Sequence, residues 1–198
     1  MVDLYTVKEA GANMSRLINH LENNDVAFIT SFRHNLSKSE NLKRNKELAL
    51  DIHNMGLGYI RVKGGYLEEP ESSEIEPKTV IEDSYAIIHK PITKESQDEF
   101  FDEMLGLCGK YNQDSVLICL LNRLDKPKAA YNSAGNIVYG PFEKLTFNDV
   151  EEFFTELHGH KFKMESFTES EDGIKPTSFN NAAAYYGTKA KYKIKPRY

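Results

Sequence analysis

The sequence predicts an α+β protein with a ferredoxin-like core, and three observations predict it. Four apolar stretches of strand length, rich in β-branched and aromatic residues, lie at 26–32, 57–63, 80–88 and 115–121. Two stretches with helical spacing, each opened by a side-chain cap, lie between the first and second and between the third and fourth. The resulting order, β-α-β-β-α-β, is the split βαβ arrangement: an antiparallel sheet with two helices on one face.

Each element has its own local warrant. Thr6-Val7-Lys8-Glu9 is a capping box that opens a helix to about Glu22, with Ala10, Met14, Leu17, Ile18 and Leu21 as its buried stripe. The continuous apolar run at 26–32 reads as a central strand. Ser37-Lys38-Ser39-Glu40 is a second capping box; behind it Leu42, Leu48, Ala49, Ile52 and Met55 form the inner stripe, and Gly56 suits the left-handed position past the helix end. In 57–63 Tyr59, Arg61 and Lys63 point one way and Ile60 and Val62 the other, as in a half-buried strand. Residues 67–79 are acidic with two prolines and read as an exposed loop. After the strand at 80–88, Thr93 caps a third helix to about Lys110, with Phe100, Phe101, Met104, Leu105 and Cys108 inward. The last core strand, SVLICLL, is apolar on both faces.

The remainder reads as an extension. Residues 128–131 and 137–139 suggest a hairpin with Gly135 at its tip. Thr146-Phe147-Asn148-Asp149 suggests the cap of a fourth helix carrying Val150, Phe153, Phe154 and Leu157, and 161–167 a last strand. From Thr168 the chain turns polar, and its end, KAKYKIKPRY, has five positive charges and no acid. The expected division is therefore an N-terminal helix (1–25), a core (26–121), an extension packed on it (122–167) and a polar linker with a basic tail (168–198).

Composition bounds the function. A chain of 198 residues, 40% hydrophobic and 28% charged, can bury a substantial core without staples. A net charge of −5 argues against a general nucleic-acid coat. The two cysteines, Cys108 and Cys119, lie in apolar segments and read as reduced core thiols. No stretch approaches the roughly 18 apolar residues of a membrane span. The N-terminus lacks a charged region followed by an apolar run, so no secretory signal is expected.

The densest concentration of polar residues unneeded by a core is the loop and helix start after the first strand: Ser31, Arg33, His34, Ser37, Lys38, Ser39, Asn41, Lys43, Arg44 and Asn45. A helix N-terminus offers unpaired N–H groups and the positive end of its dipole. With Arg33, Lys38 and either Lys43 or Arg44 nearby, it reads as a pocket for phosphate or another anion, against the plainer reading of an ordinary cap beside a solvated basic face. A second candidate is a sheet face on which Arg61 would pair with Glu82 beside the Tyr59 ring, with Ser84 on the same parity as Glu82, a face of the kind on which ferredoxin-like sheets stack bases; a simple cross-strand ion pair is the plainer account. His158 and His160 lack a third ligand at recognisable spacing, so no metal is expected. No cofactor is expected, since the sequence contains no P-loop, dinucleotide fingerprint, zinc-protease or nucleophile-elbow motif.

The pattern ITSFR, ENLKRN, GLGYIRVKGGYLEE, EDSYAII and KYNQDSVL resembles small uncharacterised proteins of tailed phages and is similar to a bacterial domain family of unknown function, over about 26–121. The resemblance implies a phage origin and the same polar residues, Ser31, Arg33, Asn41, Arg44, Asn45, Glu69, Glu82, Ser84, Gln113 and Ser115, but no established activity. It implies location in the host cytoplasm or association with a virion. Three functions then stand open. The preferred one is an accessory binding protein for a phosphate-bearing, nucleotide-like ligand or a host protein. The second is a small phosphoesterase in which Arg33 or Arg44 stabilises charge and His34 or Glu82 moves a proton. The third is a virion component. Expected partners are a nucleotide, a host or virion protein met by the tail 189–198, or further copies of the chain, and no membrane.

Overall fold

The computed structural model describes residues 11–68, 78–142, 144–147, 153–157, 160–170 and 173–179. The Thr6 capping box, residues 69–77 of the acidic loop expected over 67–79, and the basic tail lie outside the described residues; at the borders of that loop Leu67 and Glu68 end one strand and Lys78 and Thr79 open the next. The described chain runs α1 (Gly11–Asn23), β1 (Asp25–Ile29), α2 (Lys38–Asn54), β2 (Gly58–Glu68), β3 (Lys78–His89), α3 (Lys94–Lys110), β4 (Val116–Cys119), β5 (Ala129–Tyr131), β6 (Ile137–Tyr139), β7 (Lys144–Phe147), β8 (Phe153–Leu157), β9 (His160–Ser170) and β10 (Gly173–Phe179).

The α+β prediction holds. β2, β3, β1 and β4 lie side by side in that order, every neighbouring pair antiparallel, as in a ferredoxin-like fold. The local signals explain the helices. The Ser37 hydroxyl accepts from the Glu40 amide while the Glu40 carboxylate accepts from Ser37 N–H, closing the capping box of α2. Thr93 caps α3, with Ser96 completing the box. Gly56 takes φ +74° just past α2, where a side chain would strain the backbone. Asn112 does the same after α3 at φ 50°, and Gln113 N–H returns to the Cys108 carbonyl at 2.8 Å.

Two expectations about elements need correction. The stretch expected as a fourth helix contains two strands instead: Thr146 lies in β7, and Phe153–Leu157 is β8, which pairs with β2 at Gly65↔Phe154 and Tyr66↔Phe153. The long β2 leaves an open edge, and filling it satisfies backbone groups that a helix there would leave bare. Strand structure also continues beyond Thr168, through Ser170 and into β10. β5 and β6 extend the opposite edge beyond β4, their hairpin turning at Gly135 with φ +78°.

The inner stripe of α2 differs too. Leu42 and Met55 are exposed, and Asn41, Asn45, Leu48 and Ile52 face inward. The first half of this helix thus presents amides to the interior, where the irregular backbone after β1 needs partners. One buried cluster joins Leu17, Ile18 and Leu21 of α1, both sheet faces at Phe28, Ile29, Ala86 and Ile87, and Phe100, Met104 and Leu107 of α3.

Candidate functional site

Register decides which polar residues meet. In β2 and β3 the directly opposed pairs are Arg61↔Tyr85, Val62↔Ser84 and Gly64↔Glu82. Directly opposed residues share a face. Arg61 therefore lies with Tyr59, Tyr85 and Asp83, on the face where the Tyr85 hydroxyl donates to the Asn45 carbonyl of α2 at 3.0 Å. Glu82 and Ser84 lie on the other face. The expected Arg61–Glu82 pair does not form: residues of equal parity are opposed in this register, and 61 and 82 differ in parity.

On that second face, Ser84 is opposed to Val62, and continuing the register of β1 places Thr30 between Ser84 and Ser115. All are buried, Thr30 completely, and Glu82, the next residue of β3 on this face, extends the row and is 5% exposed. Hydroxyls and a carboxylate in a row across three strands are out of place on a packed apolar face, and buried polar groups concentrate where a ligand is handled. Sequence reasoning missed Thr30; its signal was being the first polar residue in the run starting at Val26.

A second network at the same end of the sheet holds the loop after β1 in place. Asn45 Oδ1 accepts from the Ser31 hydroxyl at 3.1 Å, and its Nδ2 donates to the Asp83 carbonyl at 3.1 Å, which also accepts from Thr30 Oγ1 at 2.8 Å. Asn41 Oδ1 accepts from Arg33 N–H at 2.8 Å, and its Nδ2 donates to the Arg33 and Leu36 carbonyls. Arg44 spans from the Ser31 carbonyl to the Tyr111 carbonyl, at 2.9 and 2.7 Å. Arg33 donates to the Asn112 carbonyl at 2.8 Å and lies 3.8 Å from Asp114. Gln113 Nε2 donates to Phe32 O and Tyr111 O, both at 3.2 Å.

The residues read from the sequence thus fall into separate groups. Ser31, Arg33, Asn41, Arg44, Asn45 and Gln113 come together as a clamp joining the end of β1 to the end of α3. Glu82 and Ser84 sit in the buried row. Ser37 is engaged in its own capping box, whose hydrogen bonds hold the Glu40 carboxyl below its ordinary value. His34, Lys38 and Ser39 are exposed, as is Arg61 on the other face. Burial raises the Asp114 carboxyl, with Arg33 and His34 pulling the other way. Both cysteine thiols are pushed up to about 12, chiefly by burial, which keeps them protonated and unreactive. Among the described residues there is no group of three His, Cys, Asp or Glu able to hold a metal, and no helix long and apolar enough to cross a membrane.

The model of the S-adenosylmethionine lyase family matches residues 27–173, well over half of the chain. The chain belongs to the S-adenosylmethionine lyase family. Comparison with curated proteins finds no match. The family match runs from β1 to the start of β10, so it takes in the extension strands as well as the core that resembled phage proteins. It overturns the reading as a non-enzymatic binding protein, and with it the phosphoesterase alternative: this family consists of enzymes that break down S-adenosylmethionine, a sulfonium compound without phosphate. The basic residues expected to line an anion pocket at this helix start, Arg33 and Arg44, donate here to main-chain carbonyls.

Proposed function

We propose that this protein cleaves S-adenosylmethionine by lyase chemistry, breaking the bond between the sulfonium sulfur and the γ-carbon of the amino-acid portion. The family match over residues 27–173 carries this reading. The substrate supplies its own leaving group, since a sulfonium departs as a neutral thioether. It also supplies its own nucleophile: the α-carboxylate attacks the γ-carbon, closes a five-membered lactone and releases 5′-methylthioadenosine. One C–O bond forms, one C–S bond breaks, and no proton or water is consumed. Opposite charges cancel along the path, so a site that strips water from the substrate and bends its amino-acid arm favours the transition state.

The buried row fits this task. The α-ammonium keeps its positive charge throughout and needs an anionic partner, a role we assign to Glu82, with Thr30, Ser84 and Ser115 beside it. The formal net charge of −5 attracts a substrate that is cationic overall. We also propose a tailed-phage origin, on the resemblance of residues 26–121.

Product analysis tests the reaction. Incubation with S-adenosylmethionine in ¹⁸O-water should yield 5′-methylthioadenosine and a lactone without ¹⁸O at early times. Immediate ¹⁸O incorporation into homoserine would mean hydrolysis, and an unchanged substrate pool would remove the reading altogether.

A further inference from the structure

Gln113 stands out among the polar residues at this end of the sheet. It is 5% exposed, and its Nε2 is committed to two carbonyls, those of Phe32 and Tyr111. That commitment fixes the amide orientation: two acceptors on one side hold the nitrogen there and turn the oxygen away. The oxygen, Oε1, is buried and accepts no hydrogen bond from any described residue. The main chain beneath it is firmly placed, with Gln113 N–H on the Cys108 carbonyl and the Cys108 thiol donating to the Gln113 carbonyl at 3.2 Å. An oriented, buried acceptor without a donor is costly to keep and points to a partner supplied from outside the chain.

We propose that Gln113 Oε1 accepts a hydrogen bond from the 6-amino group of the substrate's adenine, which makes Gln113 the residue that reads the base. The inference rests on the S-adenosylmethionine reading above. That substrate carries two kinds of N–H donor, the charged α-ammonium and the neutral adenine amino group. A buried ammonium calls for a carboxylate, and Glu82 is the acid in the buried row, whereas a neutral carboxamide oxygen suits the neutral amine. The placement agrees. Glu82 lies on β3 and Gln113 just before β4, with β1 between them, so they stand two strand spacings apart, about 10 Å. A bent adenosyl amino acid covers that reach with its base at one end and its ammonium at the other.

The test is binding of three nucleosides to the wild-type protein by calorimetry: 5′-methylthioadenosine, its 6-oxo analogue 5′-methylthioinosine, and the 5′-methylthio purine riboside that has only hydrogen at position 6. The adenine compound should bind at least about tenfold more tightly than either analogue. Gln113→Met, which keeps the length and removes the acceptor, should bring all three within about threefold by weakening the adenine compound alone. Equal binding of the three to wild type, as expected if a buried water is the partner of Oε1, would overturn the proposal, as would full discrimination in a folded Gln113→Met. The wild-type comparison stands even if that variant does not fold. Consumption of S-adenosylmethionine is scored separately, so loss of base discrimination with intact turnover refutes this inference alone, and discrimination without turnover refutes the reaction alone.

Discussion

Glu82 and Arg61 illustrate how much one register step decides. Both are charged, both lie on neighbouring strands, and alternation alone cannot say whether they face each other. The pairing Arg61↔Tyr85 puts the exposed arginine on the face that α2 covers and leaves the carboxylate buried on the other. In the proposed reaction this buried carboxylate meets the substrate ammonium. Because the ammonium keeps its charge throughout, Glu82→Gln should weaken substrate and transition state together. We expect KM to rise about tenfold or more with kcat changed far less. Steady-state kinetics on S-adenosylmethionine check this, and an unchanged KM would remove Glu82 from the binding site.

At the level of elements, the two ends of the sheet do different work. The end away from the site is closed by Asp25, a fully buried carboxylate at the start of β1. Its Oδ2 meets His89 Nδ1 of β3 at 2.9 Å, and its Oδ1 accepts from Gln97 of α3 at 2.8 Å and from Leu121 N–H after β4 at 2.7 Å. Three elements therefore converge on one side chain. Asp25→Ala leaves their donors buried without an acceptor and should cost about 3 kcal/mol, or ~10 °C in Tm for a chain of this size. Asp25→Asn, which keeps an acceptor oxygen for Leu121, should cost less. A thermal melt of Asp25→Ala within about 2 °C of wild type would show that the clamp is dispensable. The site end is held by the amides of Asn41 and Asn45 and by Arg44, all on α2. This explains why that helix buries polar residues in its first half and apolar ones, Leu48 and Ile52, in its second.

Across the whole molecule, ionisation should bound stability on both sides of neutrality. Hydrogen bonds from Lys126 and Arg123 hold the Asp98 carboxyl below its ordinary value, and Arg123 does the same for Asp125. At Asp51, burial pushes upward but the bonds from Lys110 and Tyr111 prevail, and the net shift is downward. Groups lowered in the folded state contribute stability that is full above the ordinary aspartate value of 3.8 and is lost as pH falls through the lower folded values. Asp114 and Glu103, raised by burial, offset part of this acid limb. On the alkaline side, Tyr85, Tyr111 and Tyr131 are raised, first by burial. Their contribution is full below 10.0 and is lost as pH rises through the raised values. Tm should therefore be level near neutrality and fall below about pH 4 and above about pH 9, where the Cys108 and Cys119 thiols begin to ionise in the unfolded chain before they do so in the fold. A Tm unchanged between about pH 6 and pH 2.5 would contradict the acid limb.

What the amino-acid sequence determined by itself was local. Caps at Ser37 and Thr93, a stop at Gly56, and the two periodicities are readable because each depends on residues within a turn or two of one another. They sufficed for the β-α-β-β-α-β order, and with it the ferredoxin-like core. The polar residues of the site end were also legible as a set, because a core has no use for them. What only the tertiary structure decided was non-local. It separated Arg61 from Glu82, turned Asn41 and Asn45 inward in place of Leu42, brought Thr30 and Ser115 into the buried row, and made a strand of Phe153–Leu157, whose spacing suits a helix. Register and edge pairing are settled by hydrogen-bond partners far along the chain, here β8 beside β2, so no window of neighbouring residues contains the information.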